Sequence, residues 1–138
     1  MLLDSAGRLI ALSGLLLAAG CASPEAGREI PRISPKEAHD RAEAHQALLV
    51  CPYDQVECPG THVVGTISFE EFTARRSGLP RNQDIILYCG CPREATAAAR
   101  AADLQEAGFN HVEVINGGLL AWILAGYEVT TTPKERKP

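Results

Sequence analysis

Apolar positions along the chain gather into short runs, and stretches with helical periodicity lie between them. The densest run, Ile85-Ile86-Leu87-Tyr88, follows Asp84 and stops at Cys89. A short unbroken apolar run bounded by turn formers reads as a strand covered on both faces. The runs 47-ALLVC-51 and 111-HVEVI-115 read the same way; Ile30 and Ile33 predict a short edge strand, and Val63, Val64 and Ile67 a further extended piece. Ser34 caps a helix over 35–46 that opens with Pro35 and buries Ala38, Ala42 and His45. Ser68, with Glu71 three residues later, caps a helix over 69–76 that Gly78 and Pro80 end. A longer helix over 93–107 closes at Gly108. Asn116-Gly117-Gly118 then turns the chain into a last helix through Leu124, with Leu119, Trp122 and Ile123 as its core contacts. Tyr88 is expected to pack beneath the segment that follows Cys89. Strands alternating with helices predict an α/β fold, a central parallel sheet of about five short strands with helices on both faces. In such sheets ligands gather at the carboxyl ends of the strands.

Residues 1–20 stand apart from this pattern. Arg8 is followed by 9-LIALSGLLLAA-19, an apolar run too short to span a bilayer and suited to a signal-peptide core. It ends at 18-AAGC-21, which resembles a bacterial lipobox, with Ala18 where that signal prefers Leu. Residues 1–20 are therefore expected to be a lipoprotein signal peptide, and Cys21 the acylated residue that anchors the chain to a membrane. Ala22 resembles residues that permit outer-membrane sorting, so the expected location is the bacterial cell envelope, facing the periplasm. Residues 21–29 read as a polar tether, 30–129 as one domain and 130–138 as a disordered tail.

Charge narrows the function. A net charge of −4 over 138 residues gives no basic face for nucleic acid. The four cysteines beyond Cys21, which are Cys51, Cys58, Cys89 and Cys91, would lie in an oxidising compartment where disulfides persist.

Cys89 has the most informative position. It ends a buried strand and precedes a helix, whose first N–H groups lack internal partners and favour an anion. A thiolate in such a place is stabilised and nucleophilic, and the same amides can hold a persulfide or an oxyanion.

From Asp84 onward the chain resembles the rhodanese (sulfurtransferase) family. The resemblance rests on 84-DIILYCGCPREATAAARAADLQEAGF-109, on 111-HVEVINGGLLAW-122, on 125-AGYEV-129 and, loosely, on 62-HVVGTI-67. It implies a rhodanese-like three-layer fold over about residues 30 to 130. It implies catalysis through Cys89, which takes the outer sulfur of a donor such as thiosulfate and passes it from a persulfide to a thiol or cyanide. The loop Gly90, Cys91, Pro92, Arg93, Glu94, Ala95 and Thr96 would then bind substrate, with Arg93 as its cation. No cofactor and no metal are implied, and a periplasmic redox protein is a further partner to consider. The family usually has an Asp-Val-Arg triplet after its second strand, and here that stretch is Cys51-Pro52-Tyr53. A Cys51–Cys58 disulfide is expected to replace the missing polar brace. Cys91 is either a resolving thiol for Cys89 or the partner of another cysteine.

Two other chemistries fit less well. Cys51, Cys58, Cys89 and Cys91 lack the spacing of common zinc sites, even with His62 and His111 added. A phosphatase or arsenate reductase of related fold would need an arginine where Ala95 stands. The rival from another class is a non-catalytic rhodanese-like module that binds a partner or senses redox state.

Overall fold

The computed structural model describes residues 29–53, 60–90 and 94–132. The expected signal peptide, Cys21, most of the tether, Cys58, Cys91, Pro92, Arg93 and residues 133–138 lie outside the described residues. The strands are β1 (Arg32–Ile33), β2 (Ala47–Val50), β3 (Thr61–Val63), β4 (Asp84–Leu87), β5 (Val112–Ile115) and β6 (Val129–Thr131). The helices are α1 (Pro35–Glu43), α2 (Phe69–Arg75), α3 (Ala95–Glu106) and α4 (Gly118–Leu124), and a 3-10 turn, Arg76–Gly78, extends α2.

Four strands form one parallel sheet in the order β1-β5-β4-β2. From β1 to β2 the chain crosses the sheet in one direction; from β2 through β4 to β5 it returns. Crossovers of one hand that run in opposite directions place their helices on opposite faces. The core divides accordingly. One face buries Val50, Ile85, Leu87, Cys89, Val112 and Val114 against Phe72, Ala97, Ala101, Leu104 and Phe109 from α2, α3 and the turn after α3. The other buries Ile33, Leu49, Ile86, Tyr88 and Ile115 against Ala38 of α1 and Trp122 of α4. Side chains alternate along β4 with the period of a strand, and this assigns Cys89 to the α3 side with Ile85 and Leu87.

The helix starts follow local chemistry. Ser34 accepts a bond from Glu37 N at 3.1 Å and Ser68 one from Glu71 N at 3.0 Å, each satisfying an amide of the first turn.

The parallel sheet agrees with the expected about five strands, with four strands and a parallel bridge from Val50 to Ile67 beside β2, while β3 and β6 pair antiparallel as a separate ribbon. Several expectations need correction. That ribbon extends into the expected tail, with Thr130 opposite His62 and Thr131 opposite Thr61, so residues 130–132 are ordered by pairing. Helix α1 ends three residues early, and His45 is exposed with φ 54° instead of buried on a helical face. Ile123 is 43% exposed, and only Trp122 and Leu119 of the three expected contacts join the core. Tyr88 packs on the face of β4 opposite Cys89, and its hydroxyl accepts from Val63 N at 3.1 Å and meets Thr66 Oγ1 at 2.9 Å. Burial pushes the Tyr88 phenol above its ordinary pKa, and these two bonds pull in the other direction.

Candidate active site

Cys89 lies just past the carboxyl end of β4, between β5 and β2, and its thiol is buried with 1% exposure. One glycine packs directly against its backbone. Gly118 N–H begins α4, and the next amide, Leu119 N, donates to Cys89 O at 2.9 Å. A Cβ on Gly118 would lie 2.3 Å from that carbonyl oxygen, and the residue has φ 59°, so no side chain fits. The double glycine read from the sequence as a tight turn is thus the point where α4 touches the main chain of Cys89.

Tyr53 approaches from the segment after β2. Its hydroxyl accepts from Gly90 N at 3.1 Å and lies 3.6 Å from Cys89 Sγ. Cβ at Gly90 would sit 3.3 Å from the same oxygen, so glycine allows the approach. This segment is held on both sides. Cys51 N donates to Ile67 O at 3.0 Å, and Arg100 Nε of α3 donates to Pro52 O at 3.1 Å. The Arg100 guanidinium also lies 4.6 Å above the Phe69 ring. Cys51 is buried and disulfide-bonded. The expected partner, Cys58, and the alternative, Cys91, both lie outside the described residues.

Glu94 opens α3 in the left-handed conformation, with φ 55°. Its backbone carbonyl accepts from Ala98 N at 2.9 Å, and its side chain caps none of the helix amides. Instead the carboxylate is buried and turns toward two partners, Arg32 Nε at 2.6 Å and Gly117 N. The sequence placed Glu94 among the substrate-binding residues. In the structure its carboxylate ties three elements together: the edge strand β1, the start of α3 and the turn before α4. A charged pair with a backbone amide in its bond set is a firmer tie than a surface ion pair.

Helix α3 therefore begins without a side-chain cap from Glu94, at the positive end of a 12-residue helix. Ala95 is exposed and Thr96 half-buried at this end, while Gly90 is exposed beside the thiol. Arg93, the expected loop cation, lies outside the described residues, as do Cys91 and Pro92. The two histidines once considered as ligands are remote from one another. His62 Nδ1 bonds Gly60 O at 2.9 Å, and His111 Nδ1 meets Asp84 at the opposite end of β4, at 2.8 Å. Among the described residues no three His, Cys, Asp or Glu side chains converge as a metal site requires.

Sequence reasoning missed Tyr53, Arg32 and Arg100. Tyr53 stands third in the stretch where the expected Asp-Val-Arg triplet is absent, and that position was its one available signal.

The fold has clear relatives among solved structures. The Alr3790 protein from Anabaena sp. superposes with a TM-score of 0.62 at 22% identity, over 72% of this chain and 82% of that one. The polysulfide-sulfur transferase homodimer from Wolinella succinogenes gives 0.55 at 18% identity, over 78% of this chain and 83% of that one. A thiosulfate sulfurtransferase from Pseudomonas aeruginosa gives 0.58 at 19% identity, over 77% of this chain and 22% of that longer one. No curated protein sequence matches the chain. The family model described as the rhodanese-like domain matches residues 53–125, from Tyr53 beside the thiol to the end of α4. With that match over just over half of its length, and with the same fold around Cys89, the chain belongs to the rhodanese-like domain family.

Proposed function

We propose that this protein is a sulfurtransferase that moves sulfane sulfur through a persulfide on Cys89. The observation that carries the reading is the thiol at the carboxyl end of the central strand, directly ahead of the uncapped amino terminus of α3. In the first half-reaction the Cys89 thiolate attacks the outer sulfur of a donor such as thiosulfate. The S–S bond of the donor breaks, and sulfite leaves with the electron pair. In the second, cyanide or a thiolate attacks the outer sulfur of the persulfide, and Cys89 recovers the pair as thiolate. The helix dipole and amides stabilise the negative sulfur in both steps. Gly90, Cys91, Pro92, Arg93, Ala95 and Thr96 would surround the donor, and Arg93 would meet an anionic one.

The proposed setting is the bacterial cell envelope. The lipobox-like 18-AAGC-21 supports acylation of Cys21 and an anchor facing the periplasm, where a redox protein would be a natural partner. The disulfide at Cys51 is in keeping with an oxidising compartment. Amino-terminal sequencing and mass analysis of protein extracted from cells checks this: a chain starting anywhere but at an acylated Cys21 refutes the anchor.

Cyanide-dependent thiocyanate production tests the chemistry. The wild type is expected to turn over thiosulfate or another sulfane donor, and Cys89→Ser to lose at least about a thousandfold of that rate, as removal of a covalent nucleophile does. One observation favours the second reading, a non-catalytic binding or redox-sensing module: Cys51-Pro52-Tyr53 stands in place of the Asp-Val-Arg triplet. Absence of Cys89-dependent turnover with a panel of thiosulfate, polysulfide and persulfide donors would decide for that module.

A further inference from the structure

The hydroxyl of Tyr53 lies against the reacting sulfur, and no role in sulfur transfer has yet been given to it. Its geometry is directional. Gly90 N–H is an obligatory donor, so at 3.1 Å the Tyr53 oxygen must accept from it. The phenolic proton then points away from Gly90, and Cys89 Sγ lies 3.6 Å from the oxygen, within hydrogen-bonding reach of sulfur. A neutral thiol could donate in the opposite sense, but a thiolate carries no proton. When Cys89 is ionised, Tyr53 is the donor.

The position is also rigidly supplied. Cys51 is locked by a disulfide and by the Ile67 carbonyl, and Arg100 holds the Pro52 carbonyl. Gly90 has no Cβ to obstruct the ring. The half-buried tyrosine thus presents its hydroxyl at the mouth of a buried thiol.

We propose that Tyr53 is a catalytic residue whose hydroxyl donates a hydrogen bond to Cys89 Sγ whenever that sulfur carries negative charge. The inference rests on the sulfur-transfer reading and deepens it. In persulfide breakdown an acceptor attacks the outer sulfur, the S–S bond breaks and its electron pair passes to Sγ. Tyr53 stabilises that charge as it develops and keeps its own proton throughout. The same bond favours the resting thiolate before the donor arrives.

The test compares wild type with Tyr53→Phe in the full chain. Alkylation of Cys89 by iodoacetamide is followed against pH and read at Cys89 by peptide fragmentation. The inflection is expected to move up by about one pH unit, the size of one lost hydrogen bond to a charged group. Sulfur release from the pre-formed persulfide to cyanide is expected to fall about tenfold or more. The other ionisable groups at this end of β4 keep their partners in the variant: Glu94 stays with Arg32, and Tyr88 stays with Thr66 on the opposite face. If the hydroxyl served only to hold Gly90 N–H, turnover would fall while the alkylation profile stayed in place, and that outcome overturns the proposal. The alkylation profile needs no sulfur donor. A wild type without turnover therefore refutes the sulfurtransferase reading, and the shift in Tyr53→Phe still judges the contact.

Discussion

The two ends of β4 carry polar groups in opposite arrangements. At the amino end, Arg41 of α1 reaches Asp84 at 2.9 Å and Glu113 at 2.5 Å, and His111 adds a second contact to Asp84. Here every charge spends itself on another charge. At the carboxyl end Glu94, the one buried carboxylate among the described residues, is turned sideways onto Arg32 and Gly117 N, away from the helix it begins. Helix α3 is left without a cap from its own first residue, on the face of the sheet that carries Cys89. The first arrangement holds the sheet to α1 through paired charges. The second withholds local satisfaction at one point and recovers it through more distant ties. A site needs that asymmetry: binding groups must be fixed in place by partners that do not consume them.

The largest expected effect attacks the carboxyl end directly. Gly118→Ala places a methyl group into the Cys89 carbonyl and a side chain at φ 59°. Destabilisation of about 3 kcal/mol or more is expected from strain and overlap together, with loss of sulfur transfer in whatever fraction folds. Chemical denaturation with the midpoint and slope measured separately checks it. A variant of wild-type stability would show that the α4 turn does not press on Cys89 at all.

Glu94→Ala comes next. It orphans the Gly117 amide and releases Arg32, which is exposed enough to find water. A cost of about 1–3 kcal/mol is expected, since a buried donor loses a charged acceptor. Sulfur transfer should fall more than stability alone explains, because α3 and the α4 turn lose their common tie. Glu94→Gln keeps the shape and should recover part of both. Equal, small effects of the two variants on activity would make Glu94 a surface residue in energetic terms and weaken the contrast.

The smallest effect belongs to the amino end and should leave the site untouched. Burial opposes ionisation of Asp84, but bonds from His111 and Arg41 outweigh it and hold its carboxyl below the usual carboxylate range. A depressed folded value means the folded chain binds fewer protons than the unfolded one in mild acid. The stabilisation is complete above the unfolded value, near pH 3.9, and is lost as pH falls below it toward the folded one. Asp84→Asn should therefore lower the melting temperature by a few degrees at pH 7 and flatten its decline in acid. The alkylation rate of Cys89 in the same variant should match wild type; a change there would couple the two ends of the strand.

The regions differ in how far they could be read in advance. The stretch from Asp84 through α3 was legible because its signals are local: an unbroken apolar run, a breaker and a long helical period. Both serine caps were legible for the same reason, since donor and acceptor are three residues apart. The tie made by Glu94 was not legible because its partners, Arg32 and Gly117, lie 62 and 23 positions away, and no local pattern announces such a pairing. Tyr53 sat in a segment rich in turn formers and read as loop. The β3–β6 ribbon escaped notice for a third reason. Its strands are three residues long and hold Thr at several positions, too little apolar alternation to register, and pairing across 70 residues defines them. His45 was placed on a helical face by spacing alone, whereas the helix had already ended at a backbone turn.

The hold of Gly118 and Leu119 on position 89 engages the main chain alone. It is therefore indifferent to the side chain that position carries. A descendant gene that exchanged the cysteine would lose its reaction in a single codon and keep the platform beneath it. Duplicated copies of such a domain begin their separate histories already folded. On this scaffold, recognition can outlive chemistry.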